Sequence, residues 1–198
     1  MSPGATFDRI YHALKAQLGS GQHRAGAQLE PAALAADLCA SITPVRDALH
    51  RLVGEGLVEA PRGDGFRTPL VTEIGLRNLY RWHGAVIDLA ARLSLADRNA
   101  LEGPDADLVE RTERLFLWIA AASLNGEHVA AVARMGERLR PARRAELGLL
   151  ADAGIEIDEI ASAAETGDRS RLRRLLARYH RARERLADRI VGALHDLP

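Results

Sequence analysis

The chain of 198 residues has one cysteine, Cys39, eight aromatic residues and a single lysine, Lys15, among 27 basic side chains. One cysteine excludes an internal disulfide framework and fits a reducing compartment. Scarce aromatics leave an aliphatic core. Charge of neither sign prevails, because 27 acidic residues balance the 27 basic ones. The longest apolar-looking run, 115–124, is too short to cross a bilayer. The N-terminus has no basic stretch leading into an apolar segment, so no signal peptide is expected and the cytoplasm is the expected location. A hydrophobic fraction of 47% with 27% charged residues describes a folded protein rather than a disordered one. No paired carboxylates, nucleophile–base pair, phosphate loop or dense metal motif stands out, so no enzymatic activity is expected.

Chemistry concentrates in residues 34–69. Thr43, followed by Pro44, is suited to open a helix. Val45, Ala48, Leu49, Leu52 and Val53 then recur at helical spacing and leave Arg46, Asp47, His50 and Arg51 pointing outward. Gly56 is placed to end that helix. Two short strand-like runs, 57–60 and 66–70, flank Pro61-Arg62-Gly63-Asp64-Gly65. Two helices and a glycine-rich ribbon predict a winged helix-turn-helix, whose second helix fits a major groove.

The stretch S-I-T-P-V-R-D-A-L-H-R-L-V-G-E-G-L-V at 41–58 resembles the DNA-binding core of GntR-type bacterial transcriptional regulators. Ile10, Leu14, Leu18, Gly19, Gly21, Gly26, Leu29 and Leu34-Ala35 extend the resemblance over about residues 5–70. Two positions depart from the family pattern. Ile42 stands where a second arginine is common, and Cys39 where the inter-helix turn usually has glycine. Residues 1–70 carry seven basic and seven acidic side chains. The domain therefore lacks the net basic footprint usual for DNA binding, and affinity has to come from local placement and two copies.

Helical periodicity resumes at Thr72. It predicts helices over about 72–95, 105–124, 127–147 and 152–165, and a last long helix from 169 to about 194. Gly103-Pro104 and Thr166-Gly167-Asp168 serve as breaks. Ile74, Leu79, Trp82, Val86, Leu89 and Leu93 form the expected inner side of the first of these. Nine arginines from Arg169 to Arg189 lie on the last helix. Its inner side is Leu172, Leu175, Leu176, Tyr179, Leu186, Ile190 and Leu194, and its arginines read as a solvated face. The expected fold is mainly α: a winged helix-turn-helix domain at 1–70, with three helices and a small β-ribbon, then an all-α bundle at 71–198.

The second part resembles the effector-binding FCD domain of the FadR-like branch, on Leu79-Tyr80, Ala122-Ser123-Leu124-Asn125 and Gly167-Asp168. In that family an aspartate and three histidines often hold a divalent metal. Those positions fall here on Thr112, Phe116, Ile157 and Tyr179, which implies a degenerate site without metal or other cofactor. A register slip of one residue would instead offer Glu113, Asp158 and His180, turned by about 100° around each helix. The resemblance also places His83 where an effector-contacting arginine is common, with Arg81 nearby. Trp82, Tyr179 and Trp118 are further candidates for lining a cavity.

These readings converge on a homodimeric regulator, with repression as the expected sense, that binds a palindromic operator and senses a small molecule. Arg46 would read a base edge. Ser41 and Thr43 would meet phosphates at the helix N-terminus, Arg51 and Arg62 would be further phosphate partners, and Gly63 or Gly65 would let the wing approach the duplex. Two alternatives stay open: a bundle that only dimerises, or a small-molecule-binding protein whose reading head no longer binds DNA.

Overall fold

The computed structural model describes residues 3–93 and 107–195. The expected break at Gly103-Pro104 lies outside these residues. The chain divides into two compact units, residues 1–71 together with 194–198, and residues 72–193.

The first unit contains α1 (Pro3–Ser20), β1 (Gln28–Leu29), α2 (Pro31–Asp37), α3 (Ile42–Glu55) and β2 (Phe66–Arg67). Its core joins Ile10, Tyr11 and Leu14 of α1 to Leu34 and Ala35 of α2 and to Val45, Ala48, Leu49 and Leu52 of α3. The expected inner residues of α3 are thus buried, except Val53, which is half-buried. Each fully buried Leu or Val contributes about 1.5–3 kcal/mol, so this small unit depends on its aliphatic seam. Leu29, Val58 and Phe66 close the core from the ribbon side.

The ribbon differs from the expected hairpin. β2 pairs antiparallel with β1, and the 57–60 run contributes only a bridge from Glu59 to Arg67. Gln28–Leu29 was too short to be seen as a strand from alternation. The start of α3 also differs from the sequence reading. Ser41 takes the extended N-cap position, while Thr43 and Pro44 lie inside the first turn. The first four N–H groups of a helix lack intrahelical acceptors, so Pro44 is tolerated there without being the first residue. Gly56 ends α3 in the left-handed region at φ 74°, as expected.

The turn between α2 and α3 closes with a Schellman pattern. Ala40 N–H donates to Ala35 O at 2.9 Å, and Cys39 N–H donates to Ala36 O at 3.1 Å. Cys39 occupies the left-handed position, φ 48°, normally taken by glycine. A side chain there is strained by about 1–2 kcal/mol.

The second unit is helical throughout the described residues: α4 (Glu73–Leu93), α5 (Leu108–Ala121), α6 (Gly126–Glu146), α7 (Ala153–Glu165), α8 (Arg169–Arg185) and α9 (Ala187–His195). Asp107, Asn125 and Asp168 cap α5, α6 and α8 by accepting backbone N–H groups with their side chains. The expected single last helix is two, separated at Leu186. α4 packs on α8 and α6, α5 on α6, and α7 on α8. The α4–α8 approach is close at Gly84, where a Cβ would come within 2.9 Å of the His180 ring.

The inner side of α4 is not the expected one. Ile74, Trp82, Leu89 and Leu93 are exposed, Leu79 is half-buried, and the buried side is Leu76, Tyr80, His83, Val86, Ile87, Ala90 and Ala91. On α8 the expected apolar side is buried, but Arg183 leaves the solvated arginine face and is 1% exposed.

Replacing Cys39 with glycine is expected to stabilise the first unit by about 0.5–1 kcal/mol, because relief of left-handed strain exceeds glycine's entropy cost. Thermal unfolding of Cys39→Gly beside wild type checks this; a lower midpoint in the variant would contradict the strain assignment.

Candidate nucleic-acid interface and the buried centre of the helical unit

The outward surface of α3 is built at its N-terminal half. Ser41, Ile42, Thr43, Arg46, Asp47 and His50 are exposed, while Val45, Ala48 and Leu49 hold the opposite side in the core. The helix N-terminus offers unpaired backbone N–H groups beside Ser41, whose own side chain makes no cap bond. Arg46 lies one turn into the helix, where a side chain of a groove-inserted helix meets base edges.

Arg51 lies elsewhere. Five residues after Arg46, it is turned by about 140° around α3. Its guanidinium sits over the Tyr11 ring at 4.2 Å and pairs with Glu55 at 3.4 Å. It belongs to an α1–α3 cluster in which Tyr11 donates to Glu55 at 2.7 Å and Lys15 pairs with Glu55 at 3.1 Å. Burial pushes the Glu55 carboxyl up, but the Tyr11 and Lys15 hydrogen bonds outweigh it and hold its pKa below the ordinary value.

The wing is short and braced. Thr68 accepts from Ala27 N–H at 2.9 Å, and Gln28 Nε2 donates to Asp64 O at 2.7 Å. Arg67 pairs with Glu59 across the ribbon at 2.9 Å. Arg62 and Gly63 are exposed in the turn, and Gly63, at φ 88°, has open space where a side chain would stand. Gly65, at φ 70°, is bounded at 3.6 Å by Gln28. His50 meets Phe66 edge-on at 4.9 Å, linking the α3 surface to the wing base.

In the helical unit the candidate effector residues separate. His83 and Tyr179 are fully buried, whereas Trp82 is 58% exposed and does not line an interior cavity. Arg81 is exposed and pairs with Glu184 at 2.8 Å. The four positions matching the family's metal ligands are all buried. Thr112 and Ile157 line one cavity, and the rings of Phe116 and Tyr179 touch at 5.1 Å. These residues do not fit a divalent metal. Phe116 and Ile157 have no donor atom, and the Thr112 hydroxyl donates to Leu108 O at 2.7 Å. The slipped set does not converge either. Glu113 is engaged by Arg140, Asp158 is 63% exposed on Arg111, and His180 pairs with His83. Among the described residues no cluster of three or more His, Cys, Asp or Glu is placed to hold a metal.

The centre holds a polar network that sequence reasoning missed. Arg183 donates to Glu146 at 3.3 Å and to Glu156, and its guanidinium lies over Tyr179 at 3.6 Å. Tyr80 donates to the other Glu146 oxygen at 3.0 Å. Burial would lower the Arg183 pKa, but Tyr179, Glu146 and Glu156 keep it raised. Burial raises the Glu146 pKa despite Arg183 and Arg143. The only sequence signal was an i, i+4 run on α8, Leu172-Leu176-His180, ending within a turn of Arg183.

His83 and His180 form a buried pair. His180 Nδ1 lies 2.6 Å from Leu176 O, a pure acceptor, so this nitrogen carries the proton. With His180 neutral, its Nε2 accepts from His83 Nδ1 at 2.8 Å. A neutral His83 then has a bare Nε2, which is buried without a partner among the described residues. Burial lowers both pKa values, that of His180 to about 4. Phe116 packs edge-on against His83 at 4.8 Å.

Residues 6–67 match the family model for bacterial regulatory proteins of the gntR family. No curated protein matches the chain in sequence. Among solved structures, the chain is similar to McbR/YncC of E. coli, with 23% identity over 93% of this chain and 97% of that one and a TM-score of 0.67. It is similar to a protein from Rhodococcus sp. RHA1 described as a GntR transcriptional regulator, with 18% identity over 96% and 99% of the two chains and a TM-score of 0.70. At such identities these likenesses establish the fold.

The depressed histidine pKa values fix a pH dependence. The unfolded chain binds protons below pH 6.5 that the folded unit refuses, so the stability from neutral burial is complete above 6.5 and declines as pH falls toward 4. For His180 the loss reaches up to about 3 kcal/mol. Unfolding followed by chemical denaturation between pH 7.5 and 5 should show this fall, flattened in His180→Asn; equal slopes in both proteins would contradict it.

Residues 6–67 thus form a gntR-family domain, and its fold is a winged helix-turn-helix.

Proposed function

We propose that the chain is a sequence-specific transcriptional repressor that binds a palindromic operator as a homodimer and carries an FCD-like sensing domain without metal. The observation that carries this reading is the α3 surface: an exposed, core-anchored helix start with Arg46 one turn in and a braced wing beside it.

In this reading α3 enters the major groove. Arg46 reads a base edge, with guanine favoured because its O6 and N7 match the guanidinium fork. The Ser41 and Thr43 hydroxyls, with the helix N-terminal N–H groups, hold a phosphate. Arg62 takes a phosphate from the wing, and Gly63 lets its backbone come close. Arg51 acts at one remove, since its ties to Tyr11 and Glu55 support the orientation of α1 against α3.

A neutral domain binds DNA weakly on its own, which favours two copies on a two-fold operator. The exposed apolar stripe Ile74, Trp82, Leu89 and Leu93 on α4 supports self-association through the helical unit. A protein of this kind is expected to work in the bacterial cytoplasm. Ligand binding in the helical unit would act on DNA affinity to the extent that it prefers one arrangement of the two heads.

Arg46→Ala should weaken binding to a cognate operator by about 1–3 kcal/mol while leaving weak non-specific binding in place. Fluorescence anisotropy with a fragment from the chain's own upstream DNA measures both. Unchanged operator affinity in the variant would overturn the role of Arg46.

A further inference from the structure

Ile42 is the first helical residue of α3, directly after the Ser41 cap, and it is 48% exposed. Among the described residues of the first unit, the other exposed large apolar side chain is Leu70, which lies beyond the wing. Ile42 is therefore the one large apolar group on a surface otherwise made by Ser41, Thr43, Arg46, Asp47 and His50. The fold does not account for it. Ile42 takes no place in the core cluster of the first unit, where Val45 and Leu49 hold α3. The two positions that staple a helix start by apolar contact fall to Ala40 and Val45, both set in or against that core. A β-branched side chain also adds nothing to helix initiation, which favours small polar or acidic residues.

The position of Ile42 is defined relative to Arg46. Four residues separate them, so the two share a face, about 40° apart around α3 and about 6 Å apart along it. Side chains on a helix tilt toward its N-terminus, which brings the Arg46 stem over the turn that Ile42 opens. Base pairs stack about 3.4 Å apart, so a row of this spacing meets groove edges one or two base pairs apart. Major-groove edges carry donors and acceptors, and the C5-methyl of thymine is the apolar group among them. Laid on a guanine or cytosine edge, Ile42 would strip water from polar atoms without replacing it. Against a thymine methyl it removes apolar surface from water on both sides. Its stiff side chain loses little freedom in doing so.

We infer that Ile42 is a specificity-determining residue, packing on the C5-methyl of a thymine within about two base pairs of the guanine read by Arg46. The inference rests on the α3 reading proposed above and adds a second base to it. Arg46 selects by hydrogen bonds, and Ile42 selects by shape and by the absence of any hydrogen bond. An apolar contact of this kind distinguishes thymine from cytosine and guanine. It also distinguishes thymine from uracil, which pairs identically and lacks only the methyl group.

The test uses the full-length protein and a site recovered by selection from random duplex DNA. Affinities are compared on synthetic duplexes carrying thymine, uracil or 5-bromouracil at the inferred position. Wild type is expected to bind the uracil duplex about fourfold more weakly for each half-site changed, the loss of one methyl contact. 5-Bromouracil, whose bromine matches the methyl in size, should restore the affinity. Ile42→Ala should bind the thymine and uracil duplexes equally, and Ile42→Val should keep most of the preference. Arg46→Ala should weaken both duplexes and leave their ratio unchanged, a pattern that mere disturbance of the helix would not give. A selected site without thymine near that guanine, a wild type indifferent to uracil, or a full preference kept in Ile42→Ala would each overturn the inference. The wild-type comparison needs no variant to fold. Specific binding without a methyl effect removes only the role of Ile42, whereas fragments with no shared sequence remove the regulator and this inference with it.

Discussion

Two arginines buried among four helices set the terms for the helical unit. A guanidinium cannot shed its charge at any accessible pH, so burying one obliges the surrounding helices to supply acceptors. Arg183 draws Glu146 from α6 and Glu156 from α7 to α8, and Tyr80 of α4 completes Glu146. That single network ties four helices to one register. Removing one partner would leave a buried charge uncompensated, which costs more than the intact pair contributes. Arg143, one turn before Glu146 on α6, lies 3.6 Å from Glu113 and over the Phe116 ring at 5.5 Å.

The same logic separates the two units. The reading head is held by aliphatic burial, with polar groups reserved for the surface it presents. A polar cluster of Tyr11, Lys15, Arg51 and Glu55 braces α1 on α3 at the margin of the core. The helical unit has its polar groups inside. A rigid apolar seam suits presentation of a helix to a groove.

Much of this was legible in the sequence. α3, its buried positions and its glycine end followed from spacing and capping chemistry, because these are local properties. Apart from the break at Leu186, helix limits in the second unit fell within a few residues for the same reason. The side of α4 that faces inward did not follow. Ile74, Trp82 and Leu89 are more apolar than Tyr80 and His83, yet they are outside. Glu146 bonds the buried Tyr80 hydroxyl and His180 the buried His83 Nδ1 from other helices, and no local pattern reports such a partner. Arg183 was lost in the same way within a run of arginines. The Ser41 cap was obscured by Pro44, whose tolerance extends over the whole first turn.

The account rests most on α3 as a reading helix, and selection of bound fragments from random duplex DNA tests that most directly. The account predicts enrichment of a two-fold symmetric site with half-sites about one helical turn apart, and affinity that falls as salt rises. Recovery of fragments with no shared sequence would contradict it.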